Sequence, residues 1–255
     1  MTLVVAHRGA PHEAPENSME AYRLAVEMGA DAIELDVHLA ADGQLAVIHD
    51  ETLDRTTDRT GAISSMTMKQ IRAADAGNSF QAADGSFPFR GKGTQVPTLG
   101  EVLEWLPEGI GLVVEIKARD ATGPTVETLR GSPVRAANAV SVISFDERAI
   151  DDARRLDPGL STGYLLVPSQ AIDLALTYAV EHGHAAIHPW EGDLGLDPGP
   201  LLSRAWALGC LVGCYVVNDP ERMKQLAAIG LWGFVTDMPG VAREALGPRD
   251  SLLAG

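Results

Sequence analysis

Short apolar, β-branched runs recur along the chain at 3–7, 32–38, 44–49, 111–117, 140–145, 162–167, 185–188, 211–217 and 233–236. Amphipathic stretches with helical spacing lie between most of them, as at 19–28, 146–156, 169–182 and 220–229. A stripe repeating every 3.6 residues buries one helical face, whereas short continuous apolar runs suit strands covered on both sides. Alternation of the two predicts a parallel sheet. Over 255 residues its expected form is one (β/α)8 TIM-type barrel, here spanning 1–247 with a flexible tail at 248–255.

Nine runs exceed the eight strands of such a barrel, and the second and third resolve the excess. Only a short link containing Ala41-Asp42-Gly43 joins them, whereas a parallel crossover needs a dozen or more residues. Asp-Gly is a hairpin turn signal. The run at 44–49 is therefore expected as an extra antiparallel strand at the barrel mouth, bringing His49 beside Glu34 and Asp36. From 51 to 97 the alternation is interrupted. A helix is expected at 65–74, with Ser65 or Thr67 near its N-cap, followed by loop to 97. An insertion of this length is either a lid or specificity element or a decorative excursion.

A chain of this length buries a full core without disulfides or structural metals. Cys210 and Cys214 would lie about 13 Å apart along a strand, too far to bridge, and read as two buried small apolar residues. The formal charge of −15 repels nucleic acid and anionic membranes. It also repels phosphate, so any phosphate site must hold its own positive charge. No run reaches transmembrane length, and the N-terminal residues carry no signal-peptide pattern. A cytoplasmic protein without stable membrane insertion is expected, leaving oligomeric state open.

Glu34 and Asp36 are two apart on one expected strand, and Glu115 and Lys117 on another, so each pair shares a face. Two readings fit the three acids. They bind a divalent cation, which relieves their repulsion and with all-oxygen donors is Mg²⁺, Ca²⁺ or Mn²⁺; or they pair with Arg8 and Lys117 in a buried ion network. His7 and His49 end two strands at the same rim and can divide acid and base roles. Arg8 would grip phosphate as a fork and Lys117 as a point charge.

The pocket candidates are Glu16, Asn17, Phe145, His188, Trp190, Tyr215 and Asn218, with Asp237 at the last strand end, although Glu16-Asn17-Ser18 also reads as an ordinary helix N-terminus. His182 and His184 are expected to finish a helix. His12 is left without a role, and His38 is placed away from the site, towards the hairpin turn.

His7-Arg8-Gly9, Ala14-Pro15-Glu16-Asn17-Ser18, Glu34-Leu35-Asp36-Val37 and the run from His49 to Thr57 follow one another in a distinctive order. Val96-Pro97-Thr98-Leu99, Val114-Glu115-Ile116-Lys117, Val216-Val217-Asn218 and Val235-Thr236-Asp237 continue it. This ordered set resembles the glycerophosphodiester phosphodiesterase family across nearly the whole chain. The resemblance implies a barrel with a small insertion after the second histidine, and hydrolysis of a small phosphodiester to glycerol 3-phosphate and an alcohol, within lipid and glycerol metabolism. It implies His7 and His49 as the acid/base pair, Glu34, Asp36 and Glu115 as ligands of one divalent ion, and Arg8 and Lys117 as phosphate contacts. The nucleophile is water or the substrate's own glycerol hydroxyl. Tyr215 departs from the tryptophan that many members carry, which bears on pocket shape.

Other readings remain at this level. A lysophospholipase D or sphingomyelinase D-like enzyme would need an apolar groove, with Phe80, Phe87 and Phe89 as its candidates. An enolate-forming metal barrel would use Lys117 as base. A non-catalytic sugar-phosphate binder would need no pair of titrating histidines.

Overall fold

Nine strands form in the computed structural model, which describes residues 2–248: β1 (Leu3–Ala6), β2 (Ala32–Leu39), β3 (Leu45–Val47), β4 (Gly111–Ile116), β5 (Val140–Ser144), β6 (Ser161–Leu165), β7 (Ala186–His188), β8 (Leu211–Cys214) and β9 (Gly233–Thr236). The tail expected at 248–255 lies, from 249 onward, outside the described residues. β1 pairs in parallel with both β2 and β9, closing the sheet of eight parallel strands. β3 runs antiparallel to β2, with Val37 opposite Val47 and Leu39 opposite Leu45. The turn between them closes where the Gly43 N–H donates to the Ala40 carbonyl at 3.0 Å, with Gly43 at φ 84°. Asp42-Gly43 thus makes the expected hairpin, because glycine takes a left-handed φ without cost.

Helices cover the outside between successive strands, and alternation along β2 shows how the core divides. Ile33, Leu35 and Val37 point outward into the helix-facing core, while Ala32 joins Val5, Val113, Ile143, Leu165 and Val235 inside the barrel. Glu34 and Asp36, in phase with Ala32, therefore point inward too. Several strands stop short of their expected ends: His7, His49, Lys117 and Phe145 sit beyond β1, β3, β4 and β5. The ladder ends where the chain turns outward at the rim, so these side chains emerge from loops.

The insertion has its own apolar centre, in which Ile48, Leu53, Ile63, Met68, Ile71 and Val96 pack together. The helix expected at 65–74 is instead a 3₁₀ turn, Ile63–Ser65, and a short helix, Met68–Ile71. Thr67 caps that helix, its N–H donating to Gln70 Oε1 at 2.8 Å. Asp75 stops any continuation by accepting from the N–H groups of Gly77 (3.0 Å) and Gly91 (2.6 Å). A further helix, Leu99–Trp105, begins at a capping box of Thr98 and Glu101. Cys210 and Cys214 are buried and free. Among the described residues, no helix is long and apolar enough to cross a membrane.

His188 departs from its expected place on the pocket wall. Its ring fills the barrel interior beside Gly163 and Gly213, where an added Cβ would stand 2.7 Å from Nε2 and 2.6 Å from Nδ1. The two glycines leave the volume that the imidazole occupies. Burial pulls His188 down from the ordinary 6.5 to about 4. The unfolded ring thus binds a proton at a pH where the folded ring does not, and stability drains as pH falls from about 6.5 towards 4, by about 3 kcal/mol. Urea midpoints between pH 7 and 4 are expected to fall more steeply for the wild type than for His188→Leu. Parallel slopes would remove His188 from the acid response.

Candidate active site

At the C-terminal ends of the strands, register sets Asp36 directly beside Glu115. Glu34 lies one inward-facing position deeper on β2, and one carboxylate oxygen from each of the three acids lies within 4.8 Å of the others. All three are buried, Asp36 completely. Asp36 Oδ2 accepts from Asn17 Nδ2 at 2.8 Å and faces Arg8 Nε at 3.2 Å. Asp36 Oδ1 is buried with no hydrogen-bond partner, and Lys117 Nζ stands 3.5 Å from it. Burial, then repulsion from Asp36 and Glu115, holds Glu34 well above the usual carboxylate range. Burial and Asp36 push Glu115 up to about 7. Burial would raise Asp36 as well, but Arg8 and Lys117 outweigh it and the net direction is down. An orphaned buried oxygen among three converging carboxylates is the donor set of a hard divalent cation, so the residues present fit such an ion. The ion-network reading accounts for only part of this, because two cations pair with the cluster and one oxygen is left over.

Backbone conformation and close packing fix the path of the His7-Arg8-Gly9 segment. Gly9 has φ 90°, and a Cβ there would lie 2.6 Å from the Ala21 carbonyl carbon, so the close approach to the following helix requires glycine. Arg8 and Asn17 both hold left-handed backbone, φ 53° and 55°. Such backbone is unfavourable for non-glycine residues, and polar contacts hold it here. The Arg8 N–H donates to Glu34 Oε2 at 3.0 Å, and the Asn17 N–H donates to the Arg8 carbonyl at 3.0 Å. Asn17 Oδ1 accepts from Tyr22 Oη at 2.8 Å. Asn17 thus orients Asp36 from beneath. Lys117 Nζ reaches Glu115 Oε1 at 2.6 Å.

Each histidine is anchored through Nδ1, leaving Nε2 as its second functional nitrogen. His7 Nδ1 donates to Asp237 Oδ1 at 2.6 Å, and Asp237 Oδ2 accepts from Asn218 Nδ2 at 2.7 Å. His49 Nδ1 donates to Asp50 Oδ1 at 2.6 Å. Arg55 then grips Asp50 (2.7 Å) and, with both terminal nitrogens, Glu16 (2.8 Å each), while Glu16 also accepts from Arg8 at 3.0 Å. Burial lowers His49 from its ordinary value, with Asp36 and Asp50 opposing. Contrary to expectation, His38 is not remote: its Nε2 donates to the His49 carbonyl at 3.0 Å. It shares the inward phase of Glu34 and Asp36, and the hairpin folds His49 back over it.

Phe145, Tyr215 and Lys117 form one wall, with the rings edge to face at 5.7 Å and the ammonium 6.0 Å from the phenyl centre. Trp190, two-fifths exposed, bridges to Tyr215. On the other side a cleft of about 460 Å³ opens between His12, Glu16, Arg55 and the insertion's Phe80. Phe80 packs edge to face on Phe89 at 5.4 Å, whereas Phe87 lies under the Arg90 guanidinium. Of the pocket candidates, Glu16, Asn17 and Asn218 hold other site residues rather than forming bare walls. Sequence reasoning assigned no role to Asp50 or Arg55. Their signal was local, an acid directly after His49 and an arginine five residues beyond it.

Comparison with known proteins agrees with this geometry. Residues 7–241 match the family model described as the glycerophosphoryl diester phosphodiesterase family. A glycerophosphodiester phosphodiesterase of Caldanaerobacter subterraneus is 32% identical over 242 residues, covering 93% of this chain and 95% of that protein. One from Bacillus subtilis is 32% identical over 256 residues, covering 93% and 84%. Among solved structures, a glycerophosphodiester phosphodiesterase of Agrobacterium tumefaciens superposes with TM-score 0.81 at 30% identity, covering 96% of this chain and all of that one. A phosphodiesterase of Oleispira antarctica, in complex with the product sn-glycerol-3-phosphate, gives TM-score 0.80 at 27% identity, with 96% and 97% covered. With the closed barrel, the antiparallel extra strand and the ordered motifs now joined at one rim, the chain belongs to the glycerophosphoryl diester phosphodiesterase family and is a phosphodiester hydrolase of that kind.

Proposed function

We propose that the protein hydrolyses glycerophosphodiesters to glycerol 3-phosphate and an alcohol by histidine acid/base catalysis, with one divalent cation, Mg²⁺, Ca²⁺ or Mn²⁺. The observation that carries this reading is the pair of Nδ1-anchored imidazoles beside three buried, converging carboxylates. Glu34, Asp36 and Glu115 would hold the cation, which when bound supplies Lewis-acid polarisation of a phosphoryl oxygen. Arg8 and Lys117 bring positive charge to a strongly acidic protein and stabilise the charge that builds at phosphorus. One histidine Nε2 accepts the proton of the nucleophile and the other donates to the departing alkoxide. Asp237 and Asp50 orient the two rings and stabilise each when protonated. The cleft beside Glu16, Arg55 and Phe80 is where the alcohol portion would lie, which gives the insertion a part in substrate choice.

Enzymatic detection of glycerol 3-phosphate tests the proposal. Several glycerophosphodiesters and lysophosphatidylcholine are offered, with chelator and with each metal. Release from the glycerophosphodiesters, lost on chelation, supports it. Release of choline from lysophosphatidylcholine alone, measured separately because that cleavage leaves lysophosphatidic acid and no glycerol 3-phosphate, would move the protein to the lysophospholipase D reading, and tight ligand binding without release would make it a binder.

A further inference from the structure

We propose that Asp151, His182 and His184 form a second metal site, for a borderline transition ion of the zinc type, at the end of the barrel opposite the acid cluster. Asp151 lies on the helix Glu147–Leu156, which follows β5, and His182 ends the helix Ile172–His182, which follows β6. Both return the chain towards strand starts, and Thr162 beside them is the second residue of β6. The acids at 34, 36 and 115 belong to the other rim.

Three donor atoms converge. His182 Nδ1 stands 2.8 Å and His184 Nε2 3.1 Å from the same oxygen, Asp151 Oδ1, and all three lie within 4.8 Å of one another. Tetrahedral zinc, with bonds of about 2.0–2.2 Å, spaces its donors about 3.3 Å apart, so each histidine nitrogen needs to part from Asp151 Oδ1 by only a few tenths of an ångström, while the two nitrogens already stand within 4.8 Å of each other. Gly183 makes the arrangement possible: it caps the helix at φ 73° and bends His184 back alongside His182. The two imidazole planes lie 23° apart.

The supporting groups are those that orient metal ligands elsewhere. Thr162 Oγ1 lies 2.8 Å from His184 Nδ1, and Tyr178 Oη donates to Asp151 Oδ2 at 2.7 Å. Tyr178 also stacks on His182, with ring centres 4.0 Å apart. Outer partners of this kind set tautomer and ring direction. On metal binding the His184 proton moves from Nε2 to Nδ1, where the threonine oxygen accepts it. The His184 side chain is fully buried, whereas that of His182 is 41% exposed, which leaves a path for the ion and room for water as a fourth ligand. Two imidazoles and one carboxylate select zinc, cobalt or nickel over the hard ions suited to three carboxylates. Arg154, whose guanidinium lies beside Gly183, opposes a dication and places the affinity below that of closed four-ligand sites.

Cobalt titration of the full chain in saturating Mg²⁺ tests the site. The expected result is one equivalent of Co²⁺ with tetrahedral visible absorption, displaced by Zn²⁺ and accompanied by a rise in melting temperature. His182→Ala and Asp151→Asn are expected to lose the spectrum with turnover in Mg²⁺ unchanged. His182→Gln, which keeps a hydrogen-bond donor, covers the case in which alanine unfolds the helix end. Thr162→Val is expected to weaken Co²⁺ by about 10- to 100-fold, and Asp36→Asn to leave the spectrum intact. Absence of tetrahedral bands in the wild type overturns the proposal, as do bands that survive in the folded His182 variants or vanish in Asp36→Asn.

Discussion

Replacement of either His7 or His49 by alanine is expected to lower kcat on a natural glycerophosphodiester by about 10²- to 10⁴-fold, the range for loss of a positioned acid or base. The two losses should differ in kind. Burial keeps His49 below the ordinary histidine value, so its ring favours the neutral state of a proton acceptor. The acidic limb of the kcat/KM–pH profile is therefore expected to disappear in His49→Ala, because that limb reports the base. On that division His7 would serve as the donor. Its loss should hurt least when the leaving group needs no proton, so a nitrophenyl ester of glycerol phosphate is expected to recover much of the His7→Ala deficit and little of that in His49→Ala. Equal rescue of both would reverse or dissolve the division of roles. Asp237→Asn and Asp50→Asn should give smaller losses, since they weaken the hold on each ring (2.6 Å in both cases) without removing it.

Removal of the cation is expected to be at least as damaging, on the order of 10³-fold or more, because Lewis-acid charge stabilisation is worth several kcal/mol. Mg²⁺, Ca²⁺ or Mn²⁺ is expected to restore the wild type after chelation, and the ion that restores best would identify the resident. Glu34→Gln, Asp36→Asn and Glu115→Gln are each expected to show the chelated level of activity whatever metal is added. Stability should move the other way for one of them. Glu34 is buried against two like charges and held well above its ordinary range, so Glu34→Gln is expected to match or exceed the wild type in chelator by about 1 kcal/mol. In saturating metal the order is expected to reverse, because only the wild type would gain the binding free energy. Calorimetric melts of both proteins, with and without metal, check this. If Glu34→Gln gained as much from metal as the wild type, Glu34 would not be a ligand.

Much of this was legible along the chain because it is local. Period-2 alternation on β2 and β4 fixes which face carries Glu34, Asp36 and Glu115. A short Asp-Gly link permits only a hairpin, and the resulting antiparallel β3 follows from its length. Those features need no distant partner, and they carried both the extra strand and the inward-facing acids. The insertion was harder: Ser65 or Thr67 marks a helix start, but its early stop depends on Asp75 reaching Gly91, sixteen residues away.

Closure decided the rest. Asp237 meets His7 across 230 residues, and Glu16 meets Arg55 across 39; only the register in which β9 meets β1, and the path of the insertion over the rim, bring them together. His188 shows the same limit in reverse. Its position at the end of β7 suggested a pocket wall, yet the void left by Gly163 and Gly213 on neighbouring strands draws its ring into the barrel. Sequence periodicity assigns a side chain to a face. Which space that face encloses is set by packing against strands far away in the chain, and that only the folded barrel determines.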